Sequence, residues 1–149
     1  MAAPPTAPPG PAARALVGLS GGVDSAVAAL LLKQAGWDVQ GLFLSNWEED
    51  DDGYCTAAQD FQDARAVAGE LGIPLHRASV AAEYRERVFN SFLREHRAGR
   101  TPNPDVLCNR EIKFGVALEW ARRLGGSHFA TGHYARLAEA SDGLALLKA

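Results

Sequence analysis

Leu16-Val17-Gly18-Leu19-Ser20-Gly21-Gly22-Val23-Asp24-Ser25-Ala26-Val27 passes from a short apolar run, through two adjacent glycines, into a helical apolar spacing. Leu16 to Leu19 reads as a strand, and Val27, Leu30 and Leu31 fall at i, i+3 and i+4 of a helix that ends near Gly36. Consecutive glycines let backbone N–H groups turn inward, and the helix that follows points its positive end at the same place, so an anion is favoured there. Ser20 and Ser25 add hydroxyls. No lysine follows the glycines as in the kinase-type phosphate loop, and the spacing is not the G-x-G-x-x-G of dinucleotide folds. Asp24 repels a phosphate unless it caps the helix or meets Mg²⁺ carried with a nucleotide.

Outward from this unit, strands and helices alternate. Val39 to Leu44 is a second strand, and Thr56-Ala57-Ala58-Gln59 reads as a capping box opening a helix with a buried stripe of Phe61, Ala64, Ala68 and Leu71. Gly72 and Pro74 stop that helix before a strand at Leu75 to Ser79. A helix over about Ala82 to Ala98 buries Tyr84, Val88, Phe89 and Phe92 and closes at Gly99. After a loop with Pro102 and Pro104, a helix marked by Phe114, Ala117, Leu118, Ala121 and Leu124 precedes a strand at His128 to Ala130. A hairpin turning at Ser141-Asp142-Gly143 joins Ala135–Leu137 to Leu144–Leu147. The alternation predicts an α/β fold, an open parallel sheet with helices on both faces, and leaves strand order open.

With 149 residues, 47% hydrophobic and 22% charged, the chain has the size and composition of one globular domain. Its longest apolar run, Ala26 to Leu32, is far too short to cross a bilayer, so no membrane role is expected. Two cysteines 53 positions apart without a secretory signal point to a reducing compartment, the cytoplasm. Residues 1–14 carry Pro4, Pro5, Pro8, Pro9 and Pro11 among alanines and read as a disordered tail. Charge is segregated: eight acids and no lysine or arginine lie from Asp38 to Asp63, whereas nine basic residues face five acids from Arg85 to Arg123. The second stretch suits a polyanion, although charge runs are commonly solvated helix faces.

Cys108 follows Asp105 by three residues in the run Thr101-Pro102-Asn103-Pro104-Asp105-Val106-Leu107-Cys108-Asn109, so at a helix start both face one cleft. A helix start also lowers a thiol pKa. The Ser20–Ser25 run resembles the signature of the PP-loop ATP pyrophosphatases, with their adenine nucleotide alpha-hydrolase-like fold. The runs Gly41–Asp50, Ala98–Phe114 and Ala130–Tyr134 resemble the tRNA-specific 2-thiouridylases in order and spacing. That resemblance implies adenylation of O2 of a wobble uridine by ATP, followed by sulfur transfer from a persulfide to give 2-thiouridine. It implies ATP, with Mg²⁺, held by Gly18, Leu19, Ser20, Gly21, Gly22, Val23, Asp24 and Ser25, with Leu44 touching adenine and Gly132 touching the nucleotide. Asn103, Pro104 and Asp105 would meet the target base, with Asp105 moving a proton and Cys108 as one of two working cysteines. The implied partners are tRNA and a sulfur donor, a cysteine desulfurase or a sulfur-relay protein.

Residues 15–137 are expected to form the ATP-binding domain and 138–149 to open a following segment that is cut short, because the family's second cysteine lies further on. The resemblance also brings relatives that hold an iron–sulfur cluster on cysteines including the Cys108 position, but Asp105 occupies the other common ligand place and two usable ligands are too few, so no resident metal is expected. Cys55 reads as inert, His133 equally as a structural histidine or a phosphate contact, and Trp47 and Tyr54 more as packing than as RNA stackers. The alternatives are another PP-loop adenylating synthetase, or a nucleotide-binding fragment without turnover.

Overall fold

The computed structural model describes residues 7–10, 13–47, 56–133, 135–140 and 143–148. β1 (Arg14–Gly18), β2 (Asp38–Ser45), β3 (Leu75–Ser79) and β4 (His128–Ala130) form one parallel sheet in the order β3-β2-β1-β4. β5 (Arg136–Ala140) and β6 (Gly143–Leu147) pair antiparallel as the hairpin expected there. α1 (Val23–Gln34) and α2 (Thr56–Leu71) follow β1 and β2. α3 (Ala81–Tyr84), a π-helical stretch (Arg85–Phe89) and α4 (Asn90–Arg97) run on as one rod. So do α5 (Pro104–Leu107), a second π-helical stretch (Cys108–Val116) and α6 (Ala117–Arg123).

The period-two alternation of β1 builds both layers at once. Ala15 and Val17 point into a cluster with Val39, Phe43, Ala29, Ala64 and Ala68, which seats α1 and α2. Leu16, between them, points the other way, against Leu42, Ala78, Ala117 and Ala121, and so seats α6. A third cluster, Val80, Val88, Ile112 and Val116, locks the two composite rods together. Arg14, assigned to the tail by sequence, belongs to β1: its Nε donates to Asp38 Oδ2 at 2.7 Å and its Nη1 to Leu124 O at 3.1 Å.

The stripe expected for α2 holds, with Ala64 and Ala68 buried and Phe61 and Leu71 packed beside them. The stripe on α1 does not: Val27 is 45% exposed, and Leu30 and Leu31 also face out. Small side chains, Ser25 and Ala29, face the sheet instead, flanked by Ala28 and Leu32, which lets the helix axis approach the strands closely. Phe114 is likewise 51% exposed. The π-helical turns around it carry an extra residue each and move the buried face to Ile112 and Val116. Cys55, Tyr54, Tyr134, the turn residues Ser141 and Asp142 and most of the proline-rich tail lie outside the described residues.

Candidate functional site

The carboxyl ends of β1, β2 and β4 open onto a cleft of about 600 Å³ lined by Gly18, Leu19, Ser20, Asp24, Ser25, Leu44, Thr131 and Gly132, with Asn46, Trp47, Asp60, Lys113 and His133 around them. This is where open α/β sheets bind ligands, and the volume is that of a small-molecule site. Between β1 and α1 the chain turns through Gly21 at φ +84°, a conformation that disfavours side chains. A Cβ there would stand 2.8 Å from Asp60 O.

The loop is held from inside by the buried Ser25. Ser25 Oγ accepts Ser20 N–H at 3.2 Å and donates to Gly22 O at 3.0 Å. Its hydroxyl is therefore committed to loop shape; Ser20 is exposed, its Oγ accepting Gly22 N–H at 3.4 Å and lying 3.3 Å from Ser25 Oγ. Across the cleft, Gly132 touches the first turn of α1: an added Cβ would lie 2.7 Å from Ser25 N and 2.8 Å from Asp24 C. Asn46 Oδ1 is buried in the cleft wall with no hydrogen-bond partner among the described residues. A buried acceptor without a donor fits a ligand that brings one.

Beside this cleft, Asn103 caps α5, its Oδ1 accepting Asp105 N–H at 3.0 Å and Val106 N–H at 3.4 Å. Asp105 thus sits in the first helical turn and is exposed, and Cys108 follows one turn later, half-buried with a free thiol. The expectation of a lowered thiol pKa is reversed. Burial pushes the Cys108 thiol up, Lys113 pulls it down, and Asp105 pushes it up again. Being past the first turn, the sulfur gains little from the helix end. The phenol of Tyr84, on the facing rod, is pushed up by burial and then by Cys108 and Asp105. Its ring meets Trp47 edge-on at 5.1 Å.

Of the residues singled out by sequence, Gly18, Leu19, Ser20, Asp24, Ser25, Leu44 and Gly132 line the cleft, and His133 joins them with its ring 5.4 Å from Phe114. Gly21, Gly22 and Val23 shape the loop without lining it, while Asn103, Pro104, Asp105 and Cys108 stand on the adjoining rod. Sequence reasoning passed over Asn46 and Lys113, and treated Tyr84 as core. The asparagine lies two residues past Leu44, and the lysine five past Cys108; that second spacing marks a shared face only in a π-helix. Among the described residues no three His, Cys, Asp or Glu gather as a metal site. Nor is any of their helices long and apolar enough to cross a membrane.

A family model described as the tRNA methyl transferase HUP domain matches residues 13–149. The tRNA-specific 2-thiouridylase MnmA of Nitrosomonas europaea is 64% identical over 132 residues, covering 88% of this chain and 36% of its own length. Its namesake in Hahella chejuensis is 57% identical over 136 residues, 91% of this chain and 37% of its own. The chain therefore spans little more than a third of these relatives. Among solved structures, the U34-tRNA thiolase NcsA of Methanococcus maripaludis, with its 4Fe–4S cluster, is similar with a TM-score of 0.57 at 19% identity, over 81% of this chain and 38% of that one. A predicted subunit of tRNA methyltransferase from Methanocaldococcus jannaschii gives 0.52 at 20% identity, over 80% of this chain and 52% of that one. Both share the parallel-sheet fold.

Proposed function

This chain belongs to the tRNA methyl transferase HUP domain family, and on that premise we propose that it is the ATP-binding portion of a tRNA-specific 2-thiouridylase working in the cytoplasm. Residues 15–137 would form the adenylating domain and 138–149 the start of a following segment. The observation that carries the reading is the cleft itself, in which a glycine turn, the start of α1 and the bare backbone of Gly132 meet at the sheet's carboxyl edge. Gly18 to Ser25 hold the phosphates, with the backbones of Leu44 and Gly132 against the adenosine. Mg²⁺ travels with the nucleotide near Asp24. The orphaned Asn46 Oδ1 accepts from the adenine amino group or a ribose hydroxyl.

The chemistry follows from leaving groups. O2 of the target uridine attacks the α-phosphorus of ATP, the bond to the β-phosphate oxygen breaks, and pyrophosphate departs. Persulfide sulfur from a desulfurase or relay protein then attacks C2, and AMP leaves with the O2 atom. Asp105, exposed beside the target base with Asn103 and Pro104, handles the proton. The Cys108 thiolate then attacks the donor-side sulfur of the C2–S–S link, the S–S bond breaks, 2-thiouridine leaves with its sulfur, and the disulfide left between Cys108 and the donor is reduced by an external thiol. Burial pushes the Cys108 thiol up against the pull of Lys113, which disfavours the thiolate that exchange needs.

Supplied with ATP, Mg²⁺ and unmodified tRNA, the protein should release pyrophosphate, and Asp105→Ala should abolish that release while leaving ATP binding intact. Release stimulated by a small carboxylic acid and indifferent to tRNA would instead favour an amidating synthetase.

A further inference from the structure

The cleft and the thiol are joined by one cation. Lys113 lines the nucleotide cleft together with Ser20, Asp24 and His133. It lies five residues after Cys108 within the π-helical stretch Cys108–Val116, where i→i+5 bonding brings residue i+5 over residue i. In an ordinary α-helix the same spacing would turn the two side chains apart. Its ammonium acts on both sides: it pulls the Cys108 thiol down against burial, and after burial it is the second influence holding His133 below the usual histidine range. Ile112, buried at the preceding position, pins the stretch against Val80 and Val88, so the lysine stem leaves from a fixed base. Besides Lys113, the charged group acting on Cys108 among the described residues is Asp105 on its own rod, which opposes the thiolate, while the Tyr84 phenol on the facing rod is itself pushed up by burial and then by Cys108 and Asp105.

We propose that Lys113 is a positioning residue shared by the two halves of the site, its ammonium holding the phosphates of a bound nucleotide in competition with the sulfur of Cys108. The inference rests on the reading of the cleft as an ATP site. It adds an order of events. While the triphosphate is present, Lys113 is engaged and its negative partner stands near the sulfur, so Cys108 is quiet. Once pyrophosphate has left, the charge returns to the thiol and favours the thiolate needed for exchange. The reactive sulfur is thereby kept from acting before adenylation. No oxidant or further reactant is involved, since only the position of one ammonium and the protonation of one thiol change.

The test is the rate of Cys108 alkylation by iodoacetamide against pH, read by mass spectrometry of the Cys108 peptide in the protein, with and without ATP and with and without pyrophosphate. ATP titrations run in parallel. Wild-type protein should bind ATP and lose about threefold or more of its Cys108 alkylation rate at neutral pH when ATP is bound. Lys113→Met should bind ATP about tenfold or more weakly, alkylate slowly even without nucleotide, and show no further slowing when ATP is saturating. Lys113→Arg should restore the nucleotide-dependent slowing, which a purely structural role would not predict. If wild-type protein binds ATP while Lys113→Met keeps the same affinity and alkylation profile, the lysine proposal fails and the ATP reading survives. If wild-type protein binds no ATP, both fall.

Discussion

Gly132→Ala is the sharpest perturbation of the cleft. The new methyl would sit 2.7 Å from Ser25 N, 2.8 Å from Asp24 C and 2.9 Å from Asp24 Cβ. Ordinary carbon contacts begin near 3.4 Å, so β4's end and the first turn of α1 must part by roughly 0.5–0.7 Å, and neither is a flexible side-chain tip. Overpacking of this kind costs about 1–3 kcal/mol. For a domain of this size that lowers the melting temperature by about 2–10 °C. The same displacement carries Ser25 away from Ser20 and Gly22, whose bonds to its hydroxyl set the loop, and so ATP affinity should fall by at least about tenfold. Thermal unfolding and calorimetric titration with ATP read the two effects. Gly69→Ala serves as the control: no atom lies within 4 Å of the added Cβ on α2, and stability should hold or rise by about 0.5 kcal/mol. A Gly132→Ala protein that melts and binds ATP like wild type would refute the close approach and its part in the cleft.

Leu16→Ala, at a fully buried position between β2, β3 and α6, should cost about 2–5 kcal/mol in denaturant unfolding. Ser25→Ala removes the hydroxyl that accepts Ser20 N–H and donates to Gly22 O, and should weaken ATP binding far more than it lowers stability, which competition titrations and unfolding resolve separately. Because burial holds the Cys108 thiol above the ordinary range, its alkylation should need a higher pH than that of an exposed cysteine, and Asp105→Asn, which removes a charge pushing the thiol up, should move the profile to lower pH. Affinity for tRNA should fall as salt rises, with Arg97→Ala costing more than Arg100→Ala, since the Arg100 guanidinium is already engaged by Glu95 at 2.5 and 2.9 Å.

Much of the fold was readable because its signals are local. The bounds of β3 and β4 follow from the breakers before them, Gly72 and Pro74 for the one and Gly125-Gly126 for the other, and the alternation of elements points to the parallel sheet. The α1 face was misread because three large apolar side chains at helical spacing outweighed Ser25 and Ala29, which the sheet selects for closeness rather than hydrophobicity. Phe114 was misread for a different reason. Periodicity was counted at 3.6 residues per turn through a stretch wound more loosely, and the same assumption concealed that Lys113 shares a face with Cys108. The glycine loop announced an anion site, but the thiol's upward shift depends on how deeply the packing of the two rods buries it, which no spacing records. Tyr84 does pack against the core cluster as its spacing implied, but its edge-on contact with Trp47 and the influence of Cys108 and Asp105 on its phenol could not be read from that spacing.

The central claim is that one ATP site lies at the carboxyl ends of β1, β2 and β4 and reaches the rod that carries Cys108. An amide-resolved NMR titration of the isotope-labelled protein with ATP tests it most directly. The account predicts saturable shifts at Ser20, Gly21, Gly22, Ser25, Asn46 and Gly132, with a second group at Lys113 and its neighbours, and none across the β5–β6 hairpin. Shifts confined to the hairpin or to α4, or an unchanged spectrum at saturating ATP, would contradict it.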